Sequence, residues 1–468
     1  MQTEKTEWDG LPIPKRYWAI VAIAMGVTVS VLDGTIANVA LPSIAEDLKA
    51  TPSMSIWIVN AYQLALVISL LSLSSLGDIL GYRRIYIGGL IVFSVTSLAC
   101  ALVESLWALT VARIFQGFGA AALASVNTSL IRIIYPKRNL GQGLGINALV
   151  VAVSAAGGPT IAAGILAVTS WHWLFAINVP IVLIALFLAI KHLPNNTTNQ
   201  TNRKFDWPSG LMNAFTFGLL IFSIDGFTRG WNPVGLTLLL IVAITIGYFF
   251  VRRQLTQPYP LLPVDLMKIP IFSLSVGTSV CSFIAQMLAM VSLPFLLQHT
   301  LKLSEVQTGL LLTPWPLATM VAAPLAGKLL ERLHAGLLGG VGLFIFSTGL
   351  LLLAFLADKV SNTGIGLLMA LCGFGFGLFQ TPNNSVLISA APSSRSGGAS
   401  GMLGMARLTG QTTGASLVAL LFALLPTQGT YAALYLAGGF AAIATVISFT
   451  RVALPEPEIL QGGRKKQT

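Results

Sequence analysis

Charged side chains are scarce in this sequence: 9% of its 468 residues are Asp, Glu, Lys or Arg, where soluble domains carry about 25%. A chain so poor in charge cannot cover a water-facing surface. That excludes a soluble globular protein and leaves lipid as the main solvent. Cysteine and histidine are also few. Cys100, Cys281 and Cys372 sit inside apolar runs at no metal-binding spacing, and the four histidines are scattered without an H-E-x-x-H pattern, so neither a disulfide nor a metal site is expected. No paired acids or activated nucleophile gather near one face, which leaves a membrane-embedded enzyme without catalytic residues. Acids are the rarer charge, 16 against 27 Lys and Arg, for a formal net charge of +11. In a soluble protein that excess would point to nucleic acid. Here the basic residues recur as short clusters between apolar runs, which is a membrane-orientation signal, and no nucleic-acid partner is expected.

What is abundant is apolar sequence, 55% of the chain. A spanning helix needs roughly 20 apolar residues. Windows of that length fall at 18–41, 53–76, 85–104, 106–131, 141–168, 171–191, 209–228, 233–251, 270–297, 306–329, 337–357, 363–389, 397–425 and 430–450. The first run is too long for a signal-peptide core and lacks a small-residue cleavage site, so it is read as the first span. The expected fold is an all-α integral membrane protein of fourteen transmembrane helices, with both termini on one side. With those termini inside, 21 of the Lys and Arg fall in internal segments and 4 in external loops. Arg113 and Arg407 remain inside helices. The bias supports both the count and the orientation.

The two halves carry a weak repeat. SSLGDILGYRR (74–84) closes the second span and PLAGKLLERLH (324–334) the tenth; each leads through glycine into a basic turn. GFG at 117–119 precedes Asn127 as GFG at 373–375 precedes Asn383, at the same spacing. Two six-helix pseudo-repeats with two inserted helices follow: an N-terminal half over 1–191, a polar cytoplasmic linker over 192–208, the inserted pair over 209–252, a C-terminal half over 253–451 and a cytoplasmic tail over 452–468. Paired six-helix halves about a central site are a transporter architecture.

Five strings, in order, go beyond architecture: LDGTIANVALPSI (32–44), WIVNAY (57–62), LTVARIFQGFGAA (109–121), SAAGGPTIAAG (154–164) and WHWLFAINVP (171–180), together with Asp78, Gly81 and Arg83 in the turn after the second span. In them the chain resembles the fourteen-helix drug:proton antiporter branch of the major facilitator superfamily. The resemblance implies alternating access, a proton gradient as energy source without a cofactor, and the cytoplasmic (inner) membrane of a bacterium.

Asp33 is the sharpest single residue. A carboxylate deep in hydrocarbon costs roughly 2.5–3.5 kcal/mol on insertion scales, and such a group is a candidate proton carrier. Arg113 cannot shed its charge. Asp33 lies about 12 Å and Arg113 about 10 Å from the outer ends of their spans, at 1.5 Å per residue, so the two are expected to pair, face one cavity and couple protons. Asn38, Tyr62, Gln63, Gln116, Gln286, Trp315 and Arg407 are candidates for a substrate cavity, with Asn383 a further polar position. Asp78, Gly81, Arg83, Gly158 and Pro159 are candidates for conformational gating, the glycines for close helix approach and Pro159 for a bend. No residue is assigned catalysis. The expected partners are protons, the bilayer and a lipophilic, cationic small molecule, since Asp33 is the one deep acid. The chain is expected to act as a monomer that exports its substrate. A dedicated carrier of one metabolite on the same fold is the alternative.

Overall fold

Long apolar runs punctuated by glycine, proline and polar turns fold as helices throughout. The computed structural model describes residues 10–136, 139–195, 205–228, 231–257, 260–391 and 396–455; most of the expected linker (192–208) and of the tail (452–468) lies outside them. The N-terminal six rods are α1 Lys15–Asp47, α2 Pro52–Leu80, α3 Tyr82–Leu102, α4 Leu106–Ile134, α5 Leu140–Leu166 and α6 His172–His192. A hairpin follows, α7 Trp207–Thr228 and α8 Pro233–Thr256. The last six are α9 Pro270–Thr300, α10 Glu305–Leu330, α11 Ala335–Leu356, α12 Asn362–Ser389, α13 Ser396–Leu424 and α14 Gly429–Thr450.

Among the described residues, twelve of these rods are long and apolar enough to cross a membrane; α7 and α13 are not in that set. Twelve of the fourteen expected spans thus meet this measure among the described residues. In α13 the reason is visible: SGGASGMLGMARLTGQTTGAS is rich in glycine, serine and threonine and carries Arg407.

Local chemistry sets the ends. Ser105, Ser304 and Ser361 cap α4, α10 and α12, each accepting from a backbone N–H of the first turn. The α2–α3 turn passes through Gly81 at φ +100°, a backbone conformation that side chains resist. Prolines inside α1, α5, α9, α10 and α12 remove one backbone bond each, and α9 ends in a π-helical turn over Leu296–Thr300.

The two six-helix groups meet along α1, α2 and α5 on one side and α9, α10 and α13 on the other. Near the far ends of α1 and α9 one apolar cluster runs across both groups, from Ile36 and Ile44 to Leu288 and Leu296. At that end Ser43 donates to the Glu305 carboxylate, Gln298 Nε2 donates to Val39 O at 3.3 Å, and the Thr160 and Thr313 hydroxyls lie 2.7 Å apart. The hairpin leans on the seam: α7 packs against α2 and α13, with Asn213 Nδ2 donating to Ile68 O at 3.0 Å. At its base Arg253 Nη2 and Asp206 Oδ1 are 2.9 Å apart. Burial pushes the Asp206 carboxyl up, but hydrogen bonds from Ser209 and Arg253 outweigh it and hold it below the ordinary range.

Candidate functional site

Two features form the site: a buried polar knot in the N-terminal group, and a cavity between the groups. Glycines build the knot. A side chain at Gly117 would meet Tyr62 O at 2.5 Å and one at Gly119 would meet Phe93 N at 2.8 Å, so α4 lies directly against α2 and α3. Arg113, one turn before Gly117, is thereby held beside Ile58 O, to which its Nε donates at 3.2 Å. It forms an ion pair with Asp33 of α1, and both residues are almost fully buried. Gln116 Nε2 and Asn178 Nδ2 donate to Asp33 Oδ1 at 3.0 and 2.9 Å. Gln116 also accepts from Arg113 Nη1 at 2.7 Å and donates to Ser97 Oγ at 2.9 Å. The guanidinium lies 4.2 Å from the centre of the Tyr62 ring and 5.5 Å from that of Phe175. Removing either partner of such a pair would strand a charge, at a cost of about 3–5 kcal/mol.

The cavity measures about 1440 Å³. Asn38, Tyr62, Gln63, Gln286, Trp315 and Arg407 all line it, with Asp78 and Arg132 near the α2–α3 turn. It therefore reaches the end of the bundle that carries the basic turns, while the opposite end is closed by the Ser43, Gln298 and Thr160 contacts.

Two expectations need correction. Gln116 is not on the cavity wall; it stands one helical turn after Arg113, on the same face, and spends its amide on the knot. Asp33 and Arg113 do pair, but they do not face the cavity: Tyr62, whose ring covers the guanidinium, lies between. The reason given for a cationic substrate, a deep acid in reach of it, falls with that placement.

The gating candidates separate. Asp78 accepts from Tyr82 Oη at 2.8 Å. Arg83 donates to Asn195 Oδ1 at 2.5 Å and to Ile190 O at 2.6 Å, tying α3 to the end of α6 within one group rather than bridging the two. A side chain at Gly158 would meet Thr35 Oγ1 at 2.1 Å, so α5 rides closely on α1. Pro159 lines the cavity, and its carbonyl would lie 2.6 Å from a side chain at Gly309. That contact brings α5 and α10 together at the closed end.

A second knot went unread in the sequence. Arg451, sorted there with the internal surface charges, is 1% exposed. Its Nη1 donates to Asn383 Oδ1 at 2.6 Å and Ser275 Oγ at 2.8 Å, and its Nη2 to Ser448 Oγ at 2.7 Å. Asn383 is thereby taken from the cavity candidates. Asn178 and Ser97 were also missed as knot members; the one available signal was a lone amide within the apolar string WHWLFAINVP. The three cysteines are free thiols, and among the described residues no group of three His, Cys, Asp or Glu could hold a metal.

A bundle of this kind, with a cavity between two helical groups and a buried ion pair beside it, defines a membrane transporter. The profile of the Major Facilitator Superfamily matches residues 23–282 and again 276–467, and the chain belongs to that family. It is 60% identical over 451 residues to the "Uncharacterized transporter YebQ" of Escherichia coli (strain K12), covering 96% of this chain and 99% of that one. It is 31% identical to the "Riboflavin transporter RibZ" of Clostridioides difficile (strain 630), over 82% of this chain and 83% of that one. It is 30% identical to the "Multidrug resistance protein Stp" of Mycobacterium tuberculosis (strain CDC 1551 / Oshkosh), over 84% and 74%. Among solved structures, a POT family transporter in complex with a thioalcohol-conjugated peptide superposes with a TM-score of 0.71 at 14% identity, over 94% of this chain and 96% of that one.

Proposed function

We propose that this protein is a proton-coupled exporter of hydrophobic small molecules, working by alternating access as a monomer in the cytoplasmic membrane of a bacterium. All fourteen rods cross that membrane, the termini face the cytoplasm, and the cavity opens inward. The observation that carries the reading is the Asp33–Arg113 pair, buried behind the cavity wall and in contact with it through Tyr62.

Asp33 is the group that takes and gives the proton. As a carboxylate it holds Arg113, Gln116 and Asn178 together. Protonated, it no longer neutralises Arg113, whose guanidinium then turns towards Tyr62, Gln116 and the Ile58 carbonyl. Tyr62 shifts with it, and the cavity wall registers the protonation state. A proton entering from outside and leaving inside can thus be exchanged for a molecule leaving the cavity outward. The potential contributes about 2.3 kcal/mol per charge per 100 mV. Gly309, against Pro159 and Ala163, supplies a close contact on which the two groups rock, and Gly158 holds α5 to α1 within one of them. Asp78 and Arg83 hold the inner turn, and Gly81 gives it its shape.

Inside-out vesicles carrying the protein should accumulate members of a panel of hydrophobic compounds when acidified, and lose them when the gradient is collapsed. The 31% identity to a protein named as a riboflavin transporter favours one second reading, a carrier dedicated to a single metabolite. A panel in which one compound alone is moved would establish it.

A further inference from the structure

The cavity wall has a charge that the export reading leaves unused. Among the described residues, three charged side chains line it: Asp78 and Arg132 near the basic end, and Arg407 on α13. Arg407 lies eleven residues into a helix of 29, about 16 Å from its start. Gly398, Gly401 and Gly404 line the cavity from the same helix. Arg407 is solvent-exposed there. Its guanidinium lies over the Phe283 ring, 5.9 Å from the centroid.

The arrangement disfavours a cation twice over. Among the described residues no carboxylate lines the deep part of the cavity; Asp33 is enclosed by Arg113, Gln116 and Asn178. Two aromatic faces that could receive a cation already have one, Tyr62 from Arg113 and Phe283 from Arg407. What the cavity offers is the complement of an acid: a fixed guanidinium, which binds carboxylates and sulfonates in a fork, with the Trp315 ring also on the wall. Apolar surface from Phe376, Met287 and Met290 surrounds them.

We propose that the substrates are apolar molecules carrying one anionic group, carboxylate or sulfonate, which pairs with Arg407 in the cavity. This rests on the reading of that cavity as the transport site. Exchange of one proton inward for one monoanion outward would move two elementary charges in the direction the membrane potential favours.

The test is equilibrium binding to the purified protein in lipid nanodiscs, with empty discs subtracted. Three fluorescent probes of similar size are compared: anilinonaphthalene sulfonate, its uncharged parent phenyl-naphthylamine, and ethidium. The native protein should bind the sulfonate roughly 10–100-fold more tightly than the neutral parent, the range of a hydrogen bond to a charged group. Arg407→Gln should abolish that preference and leave the neutral probe unchanged, while Arg407→Lys keeps part of it. Equal binding of sulfonate and parent by the native protein, a preference for ethidium, or a sulfonate preference that survives Arg407→Gln would each overturn the proposal. If Arg407→Gln does not fold, the native comparison and Arg407→Lys still decide. No gradient is involved, so a failure of proton coupling would leave this result standing, and a failure here would leave coupling untouched.

Discussion

Among the described residues two arginines are buried in this bundle, and they are held in opposite ways. Arg113 meets a carboxylate, with Gln116 and Asn178 arranged around it. Arg451 meets only neutral oxygens, from Asn383, Ser275 and Ser448. The two knots occupy corresponding helices of the two groups: α1, α4 and α6 for the first, α9, α12 and α14 for the second. Since arginine keeps its proton, neither guanidinium can switch by itself. Only the knot with Asp33 contains a group that can change charge. We therefore read the first as a switch and the second as a fixed staple, set towards opposite ends of those helices.

The comparison can be broken at several points. The largest effect is expected from Asp33→Asn, which should reduce gradient-driven transport to background while the protein still folds, measured as uptake into acidified vesicles. Arg451→Met should act on stability instead. It removes three hydrogen bonds to a charge but also the burial of that charge, for a net loss of about 1–3 kcal/mol, read as a lower midpoint of thermal unfolding in detergent. Transport per folded molecule should stay within about twofold, a stability-only loss. Asn383→Asp sharpens the contrast, because it gives Arg451 a carboxylate. If the knot is only a staple, this variant unfolds later or unchanged, and the pH profile of transport does not move.

Gly309→Val probes the closed end. Its side chain would meet Ala163 Cβ and Pro159 O, the latter at 2.6 Å, so the arrangement with the cavity open at the basic end should become disfavoured. Thiol labelling of a cysteine placed at Ser125 on the cavity wall, from the basic end, should then slow severalfold.

The smallest effect is expected at Asp206, whose pairing with the half-exposed Arg253 is worth about 0.5 kcal/mol once solvent screening is discounted. Its carboxyl is held below the ordinary range, so this contribution is present above about pH 4, the unfolded value, and is lost as pH falls through the lower folded value. Unfolding midpoints of native protein and Asp206→Asn should differ slightly at neutral pH and converge in acid.

How far these features could be read without coordinates depended on how local their signals are. Asp33 and Arg113 stood out because a charge in an apolar helix has few outlets, and their similar depth made a pair the natural solution. Tyr62, Gln286 and Trp315 could be placed near a cavity because polar or amphipathic groups inside spanning helices face protein or water rather than lipid. Gln116 was misplaced because its environment depends on which face of α4 Arg113 occupies, and that is fixed by contacts of Gly117 and Gly119 with other helices. Arg451 was hidden for a similar reason. At the end of an apolar run it looks like an ordinary membrane anchor, and its partners lie 68 and 176 residues away. Helix α13 shows the limit of hydropathy itself: a rod that lines the cavity carries small and polar residues, so its hydropathy is low for a span.

The central claim is that Asp33 couples protons to transport rather than merely holding α1 to α4. Proteoliposomes of native protein and of Asp33→Asn, loaded with one transported compound, separate the two most directly. The rate of substrate-for-substrate exchange is compared with uptake driven by an imposed pH difference. The account predicts that Asp33→Asn exchanges substrate at close to the native rate but no longer concentrates it when the gradient is applied. Concentration of substrate by Asp33→Asn to the native level would show that the proton binds elsewhere, and would contradict it.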